Sequence, residues 1–198
     1  MSRRINTFAL ATTLGMFGLL ATACADQAGS STANSAPLVK TEPAKPASDK
    51  GDQVVTGGDL DFMNQAAPGS MAEVELGRLA ASQGMSKEVK TFGQKMVEDH
   101  SKANQELMQV AQQKKVKLSS DLMPTHQETM EKLSKLKGAE FDRAYVKAMV
   151  EDHEKDVAAF DATAKNGVDA DVKAFAAKTL PTLRMHLEMI REIQGKMK

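Results

Sequence analysis

Tryptophan is absent from this chain of 198 residues, tyrosine occurs once, and aromatic residues make up only 4% of the sequence. Strands favour aromatic and β-branched side chains, so this scarcity argues against a β-sandwich. Alanine, methionine, lysine, glutamate and glutamine are plentiful instead, and all five have high helix propensity. The composition therefore predicts an all-α protein built from packed helices.

Neither sign of charge is in excess, because 26 basic residues balance 26 acidic ones. A nucleic-acid-binding domain usually carries a basic patch, so we expect no nucleic-acid partner. Cys24 is the single cysteine, which excludes a disulfide framework within the chain. A folded domain in an oxidising compartment must then be held together by its core, or by a metal.

The N-terminal apolar stretch, residues 8–20, is too short to span a bilayer comfortably. It follows two arginines and precedes small residues, a pattern typical of a signal peptide over residues 1–24. Two cleavage sites remain open: an ordinary Ala-x-Ala site, or a lipobox in which Cys24 is lipidated and becomes the new N-terminus. In the second case Ala25 favours the outer membrane over inner-membrane retention. We therefore expect export to the periplasm, with a lipid anchor as the membrane contact.

The mature chain divides into a spacer and a folded domain. Residues 25–58 are rich in Ala, Ser, Pro and Lys and have few large apolar side chains, so they cannot bury enough surface to offset the entropy of ordering. Residues 59–198 have helical periodicity. The predicted helices cover residues 59–83, 86–115, 124–137, 139–165 and 169–194. Pro68-Gly69 is predicted to interrupt the first helix, with Ser70 and Thr125 starting capping boxes and Pro181 kinking the last helix.

Two internal repeats organise this domain. Met-Val-Glu-Asp-His-Xaa-Lys occurs at residues 96–102 and again at 149–155, which predicts related interior positions for its two histidines. Glu-Val-Lys-Thr-Phe at 88–92 resembles Asp-Val-Lys-Ala-Phe at 171–175, and each follows a short polar turn. The second repeat indicates two helical hairpins. Together they predict an up-down four-helix bundle with a short extra helix in the central connection.

Five polar residues fall on the apolar faces of the predicted long helices. They are Glu73, His100, His153, Asp156 and His186. Aligning the two hairpins through the second repeat places Glu73 opposite Asp156, and His100 within one turn of His186. Carboxylates and imidazoles at the middle of a bundle suit Fe, Mn or Zn.

Two alternatives to that set of ligands stay open. Methionines lie close to each histidine in sequence, and a thioether–imidazole set suits Cu(I); they are Met96, Met149, Met185 and Met189. Methionine at helical spacing is, however, most often core filler. The histidines and carboxylates also fit a satisfied polar network without a metal. The acidic residues next to the histidines, Glu98, Asp99, Glu151 and Asp152, are predicted to form a solvated face paired with lysines.

No enzyme class is indicated by the sequence. A di-iron site of the ferritin type needs Glu-x-x-His on two helices, but Val97, Val150 and Leu183 stand three residues before the histidines. A nucleophile–base pair, a phosphate-binding loop and Cys-x-x-Cys are also missing. Metal binding for storage, buffering or stress defence is the first functional hypothesis, a structural or interaction lipoprotein is the second, and a peroxide-consuming metalloprotein is the third.

Four segments together resemble a bacterial family of unknown function, number 4142. They are Ala-Glu-Val-Glu-Leu-Gly-Arg-Leu-Ala at 72–80, Met-Val-Glu-Asp-His at 96–100, Gly-Ala-Glu-Phe-Asp-Arg-Ala-Tyr at 138–145, and the stretch 175–187. The resemblance covers about residues 59–193. It implies an exported, ferritin-like bundle, and residue matching carries Glu73, His100, His153 and His186 as site residues. It implies no reaction.

Overall fold

The computed structural model describes residues 55–197, and this part of the chain is all-helical. It has five helices: α1 (Gly57–Gln83), α2 (Lys87–Gln113), α3 (Pro124–Ser134), α4 (Gly138–Asn166) and α5 (Ala170–Lys196). The predicted all-α bundle with a short extra helix is confirmed. None of these helices is both long and apolar enough to cross a membrane. The predicted signal peptide, Cys24 and most of the predicted spacer lie outside the described residues.

Short capped turns fold the long helices into two hairpins. The hydroxyl of Ser86 accepts a hydrogen bond from the Val89 amide at the start of α2, and the carboxylate of Asp169 accepts from two amides at the start of α5. Gly84 and Gly167 end α1 and α4, and each donates its amide to the carbonyl four residues earlier. These side-chain caps satisfy amides that a helix start leaves without partners.

The two hairpins pack side by side as a four-helix bundle. α1 lies against α2 and α4, while α5 lies against α4 and α2. The central connection runs along the bundle, because α2 ends beside Asp169 of the α4–α5 turn and α4 begins beside Met85 of the α1–α2 turn. Its helix α3 packs on α1 and α4. Every long helix therefore presents one face to a common interior, so the side chains at mid-helix can meet there.

The first helix is continuous, which contradicts the predicted interruption at Pro68-Gly69. Pro68 lies inside α1 and is buried. A proline inside a helix costs about 3 kcal/mol because it removes one hydrogen bond and crowds the preceding turn. The apolar contacts of α1 outweigh that cost, since most of a helix's stability in a protein comes from its packed face. Ser70 is thus a mid-helix residue, and its predicted capping box does not form.

The predicted capping box at Thr125 is also wrong. Met123 is the N-cap residue of α3 and gives no side-chain cap. Pro124 occupies the first turn, where its missing amide hydrogen is not needed. Its fixed φ angle, rather than a hydroxyl cap, starts this helix.

Equivalent positions of the two hairpins are separated by the same number of residues along the chain, as Asp59 and Asp142 show. Asp59 at the start of α1 accepts hydrogen bonds from the amides of Val168 and Asp169 in the α4–α5 turn. Asp142 at the start of α4 does the same for the amides of Met85 and Ser86 in the α1–α2 turn. Each hairpin thereby holds the turn of the other.

This relationship corrects the interpretation of the seven-residue repeat. The two copies lie on α2 and α4, which are diagonal to each other in the bundle. The spacing that relates Asp59 to Asp142 also relates Glu73 to Asp156, but it relates His100 to Leu183. His100 and His153 therefore reach the interior from non-equivalent helices.

The core consists of two apolar clusters separated by a polar layer. One cluster includes Phe62, Leu107, Phe160 and Phe175, and the other includes Leu76, Phe92, Tyr145 and Ile190. The buried polar side chains of Glu73, His100, His153 and His186 lie at chain positions between these two sets on their helices. Burying polar groups is costly unless they have hydrogen-bond partners, so this polar layer is the candidate functional site.

The folded part of the chain begins ahead of the predicted boundary at Asp59. Val55, inside the predicted spacer, is 3% exposed and belongs to the first apolar cluster. The N-terminus of the bundle is therefore fixed by this contact as well as by the first turn of α1.

Candidate metal centre

Three histidines from three helices meet in the polar layer. His100 comes from α2, His153 from α4 and His186 from α5, and all three are buried. One ring nitrogen of each lies within 4.8 Å of those of the other two. Their ring centroids are 5.2–5.6 Å apart. This trio is the one group of metal-binding side chains of such closeness among residues 55–197.

An acceptor on the outer side of each ring sets its orientation. His153 Nδ1 lies 3.0 Å from the carbonyl oxygen of Met149, which can only accept, so Nδ1 carries the proton. His186 Nε2 lies 2.9 Å from Asp99 Oδ2, and His100 Nδ1 lies 2.8 Å from Glu73 Oε2. When each ring donates its one proton outward, the three remaining nitrogens present lone pairs to the interior.

One of these inward nitrogens has no partner, and the other two face each other. His153 Nε2 is buried and has no hydrogen-bond partner. His100 Nε2 and His186 Nδ1 lie 3.3 Å apart, so two lone pairs repel each other there unless a proton or a cation comes between them. Outward N–H groups with inward lone pairs are the arrangement that metal-binding histidines adopt.

Burial keeps the three imidazoles neutral. It lowers the pKa of His100 and of His186 to about 4. The pKa of His153 is lowered as well, first by burial and then by the two other histidines. The nearby charges of Asp156, Asp99 and Asp152 oppose the shift of His100 but do not overcome it. The lone pairs are thus free for a ligand at neutral pH without loss of a proton.

Glu73 and Asp156 form a carboxyl pair beside the histidines. Burial raises the pKa of Glu73 well above its usual value, and burial together with the charge of Glu73 raises that of Asp156. Both pKa values are thus raised, so the pair takes up a proton more readily than two separate carboxyl groups would. Glu73 Oε1 also lies 3.4 Å from His153 Nδ1. Glu73 therefore faces both His100 and His153.

The structure brings together all five predicted site residues, and it adds two that sequence reasoning missed. Asp99 was assigned to a solvated face with Lys95; it does pair with Lys95 at 2.9 Å, but it also accepts from His186. Ser70 was assigned to a helix cap, and its hydroxyl lies 3.2 Å from His100 Nδ1 instead. Neither carries a sequence signal, since both contacts join residues on different helices.

The methionines next to the histidines in sequence have different surroundings. Met96 and Met149 belong to the second apolar cluster, while the side chain of Met185 is 36% exposed. A small interior cavity of about 20 Å³ lies in front of His100 and is lined by Ser70, Glu73 and Asp156 among others. That volume is enough for one water molecule or ion.

Acidification is expected to destabilise the metal-free protein. The unfolded chain binds protons at its histidines near pH 6.5, whereas His100 and His186 resist protonation until about pH 4. The stability they contribute is therefore present above pH 6.5 and is lost as the pH falls towards 4. Glu73 and Asp156 act in the opposite sense, because their raised pKa values favour proton uptake by the folded state.

Urea unfolding at pH 6.5 and 4.5 tests this balance. We expect the free energy of unfolding to be lower at pH 4.5 by on the order of 1–2 kcal/mol. A His100→Gln, His186→Gln variant should lose most of that difference, and a His126→Gln variant, which leaves the trio intact, should keep it. Stability that rises on acidification in the unsubstituted protein would mean that the carboxyl pair dominates.

The fold and its polar layer define a helical bundle with a buried histidine trio, and sequence comparison names its family. Residues 44–193 match the domain of unknown function DUF4142, and the chain belongs to this family. The match starts within the predicted spacer, ahead of residue 59. No curated protein sequence matches the chain significantly.

Solved structures with the same fold have little sequence identity to this chain. A DUF305 fragment from Deinococcus radiodurans superposes with a TM-score of 0.64 at 13% identity, covering 71% of this chain and 97% of that one. CopM in its Cu(I)-bound form gives a TM-score of 0.60 at 14% identity, covering 71% and 98%. A DUF305 protein from Streptomyces coelicolor gives 0.61 at 14% identity, covering 71% and 94%. These similarities establish a shared helical architecture.

Proposed function

We propose that this protein binds a transition-metal ion through His100, His153 and His186. The observation that carries the proposal is the convergence of three neutral imidazoles whose outer nitrogens are each held by an acceptor. Glu73 either completes the ligand set or holds His100 from outside. Asp156 supports Glu73, and Asp99 holds His186.

The chemistry of the donors favours copper or zinc. Three imidazoles are borderline ligands that suit Zn(II) and both oxidation states of copper, whereas a carboxylate-rich set would favour iron or manganese. Of the divalent ions, Cu(II) binds nitrogen sites most tightly. CopM, which has the same architecture, has been solved in Cu(I)-bound and Cu(II)-bound forms. The fold is thus compatible with copper binding.

A metal-free polar network is the competing interpretation. If Glu73 is protonated, it donates to His100, His100 donates to His186, and His186 donates to Asp99, so that a chain of hydrogen bonds forms. That arrangement still leaves His153 Nε2 buried without a partner. A buried nitrogen without a partner costs about 1–3 kcal/mol, and a bound cation removes this cost.

The proposed setting is the cell envelope. The N-terminal pattern, with Cys24 at the end of an apolar stretch, supports export and lipid anchoring at the outer membrane, where a metal-binding bundle would serve storage, buffering or stress defence. The mass of the mature protein extracted from membranes tests lipidation at Cys24.

Thermal unfolding and equilibrium titration with separate ions test metal binding. The ions are Fe(II), Mn(II), Zn(II), Cu(I) and Cu(II), and every protein carries Cys24→Ser so that the thiol cannot bind them. We expect Cu or Zn to raise the melting temperature, and the rise to vanish in a His100→Ala, His153→Ala variant. Ligand binding at 100 times the dissociation constant stabilises by about 2.7 kcal/mol.

A Met96→Leu variant is the matched control, because it keeps the side-chain volume and removes a thioether one turn before His100. It should bind the metal as tightly as the unsubstituted protein. A loss of Cu(I) affinity in this control would assign the site to thioether ligands. No melting shift with any of the five ions would contradict the proposal and leave the trio as a packing network.

A further inference from the structure

Two openings lead from the surface towards the interior cavity in front of His100. One is a cleft of about 430 Å³ between α1, α4 and the start of α3. The other is a depression of about 170 Å³ between α2 and α5. Each shares wall residues with the cavity: Asp156 and Phe160 for the cleft, His100 and Thr179 for the depression. Either could admit a metal ion, and their charges decide between them.

The cleft between α1 and α4 carries an excess of negative charge. Asp61, Asp152 and Asp156 line it, and Lys155 is the one lysine or arginine along its walls. Asp156 belongs both to this cleft and to the interior cavity, where it contacts Glu73. Glu73 in turn reaches His100 at 2.8 Å. Carboxyl groups thus follow one another from the surface to the histidine trio.

The depression between α2 and α5 has balanced charges and is bridged by an ion pair. Lys102 and Lys178 line it together with Asp99 and Glu106. Lys178 Nζ lies 2.8 Å from Glu106 Oε1, which ties α5 to α2 across the depression. The two ammonium groups offset the two carboxylates, so this opening attracts a cation less than the cleft does.

A row of acidic residues alone does not identify a path for a cation, but buried atoms at its inner end do. Glu73 is 1% exposed, and its Oε1 has no N–H or hydroxyl partner. His153, fully buried, leaves Nε2 without any partner. The acidic row thus ends at a buried carboxylate oxygen without a partner, on the side chain that lies beside both His100 and His153.

We infer that the cleft between α1 and α4 is the loading site for the metal, in which Asp152 and Asp156 capture the cation and pass it through Glu73 to the histidines. The inference rests on the proposed function. Asp152 lines the cleft and attracts the cation electrostatically. Its charge should therefore change mainly the association rate constant, and the effect should weaken as the salt concentration increases.

Stopped-flow mixing with Cu(II) tests this route, with quenching of Tyr145 fluorescence as the signal and Cys24→Ser in every protein. We expect Asp152→Asn to slow association about threefold or more at low salt, and Lys155→Gln to accelerate it. Both effects should shrink in high salt. Glu106→Gln removes one negative charge from the other opening and is the matched control, expected to leave the rate unchanged.

The outcomes separate this inference from the proposed function. In the first case the unsubstituted protein binds Cu(II), but Asp152→Asn associates with Cu(II) as fast as the unsubstituted protein does, or Glu106→Gln associates more slowly than Asp152→Asn. Either result would show that the inferred loading site is wrong and would leave the proposed metal centre intact. If the unsubstituted protein does not bind Cu(II), Zn(II) or Cu(I) at equilibrium, the proposed function fails, and the loading site fails with it.

Discussion

Replacing Gly93 with valine is expected to unfold the protein or to lower its stability by about 3 kcal/mol or more. α1 and α2 approach each other so closely that a Cβ on Gly93 would lie 2.6 Å from the carbonyl oxygen of Gly77 and 2.8 Å from the Ala80 Cβ. These neighbours are backbone and a helix-borne methyl group, so they cannot move aside without separating the helices. Overpacking of this kind typically costs 1–3 kcal/mol even when the core adapts.

The same contact positions the candidate site. Gly77 lies one turn after Glu73 on α1, and Gly93 lies two turns before His100 on α2. A wider separation of the two helices would pull the Glu73 carboxylate away from His100 Nδ1. We therefore expect a folded Gly93 variant to lose metal affinity as well as stability.

Urea unfolding followed by far-UV circular dichroism measures the stability change. Gly195→Ala is the control, because a Cβ at that position of α5 has no neighbour within 4 Å. Alanine replaces glycine favourably in a helix by up to about 1 kcal/mol, so this variant should be unchanged or more stable. Equal stability of the Gly93→Val protein and the unsubstituted protein would show that α1 and α2 are not in backbone contact.

Replacing Glu73 with glutamine is expected to stabilise the metal-free protein while weakening metal binding. Burial raises the pKa of Glu73, so keeping it ionised at pH 8 costs folding free energy, and the amide removes that cost. We expect a gain of about 1–2 kcal/mol in the free energy of unfolding at pH 8. The amide cannot neutralise a bound cation, so affinity should fall 10- to 100-fold.

A variant that gains stability but loses metal affinity identifies Glu73 as a metal-binding carboxylate rather than a structural one. Glu75→Gln, an exposed carboxylate on the same helix that pairs with Arg78, is the control and should change neither quantity. Urea unfolding without metal and competitive titration with metal give the two measurements. A Glu73→Gln protein that is less stable and binds metal unchanged would assign Glu73 to a packing network.

The sequence determined the architecture because the relevant signals are local. Helical periodicity, the polar turns after Gln83 and Asn166, and the Val-Lys-Xaa-Phe repeat are all contained in short segments, and they predict two hairpins and their alignment. That alignment sufficed to place Glu73 next to Asp156 and His100 next to His186. Where local rules competed with packing, as at Pro68, they failed, because the apolar face of α1 stabilises the helix more than one proline costs.

The tertiary structure alone decided which nitrogen of each histidine faces the interior, and which side chains hold the rings. Asp99 and Ser70 act across helices, and their role depends on distances of about 3 Å between residues far apart in the chain. Neutral histidines likewise follow from the depth of burial, which sequence patterns do not measure. The sequence thus predicted which polar residues lie at the centre of the bundle. Their protonation, their orientation and the acidic route to them arise only when four helices pack together.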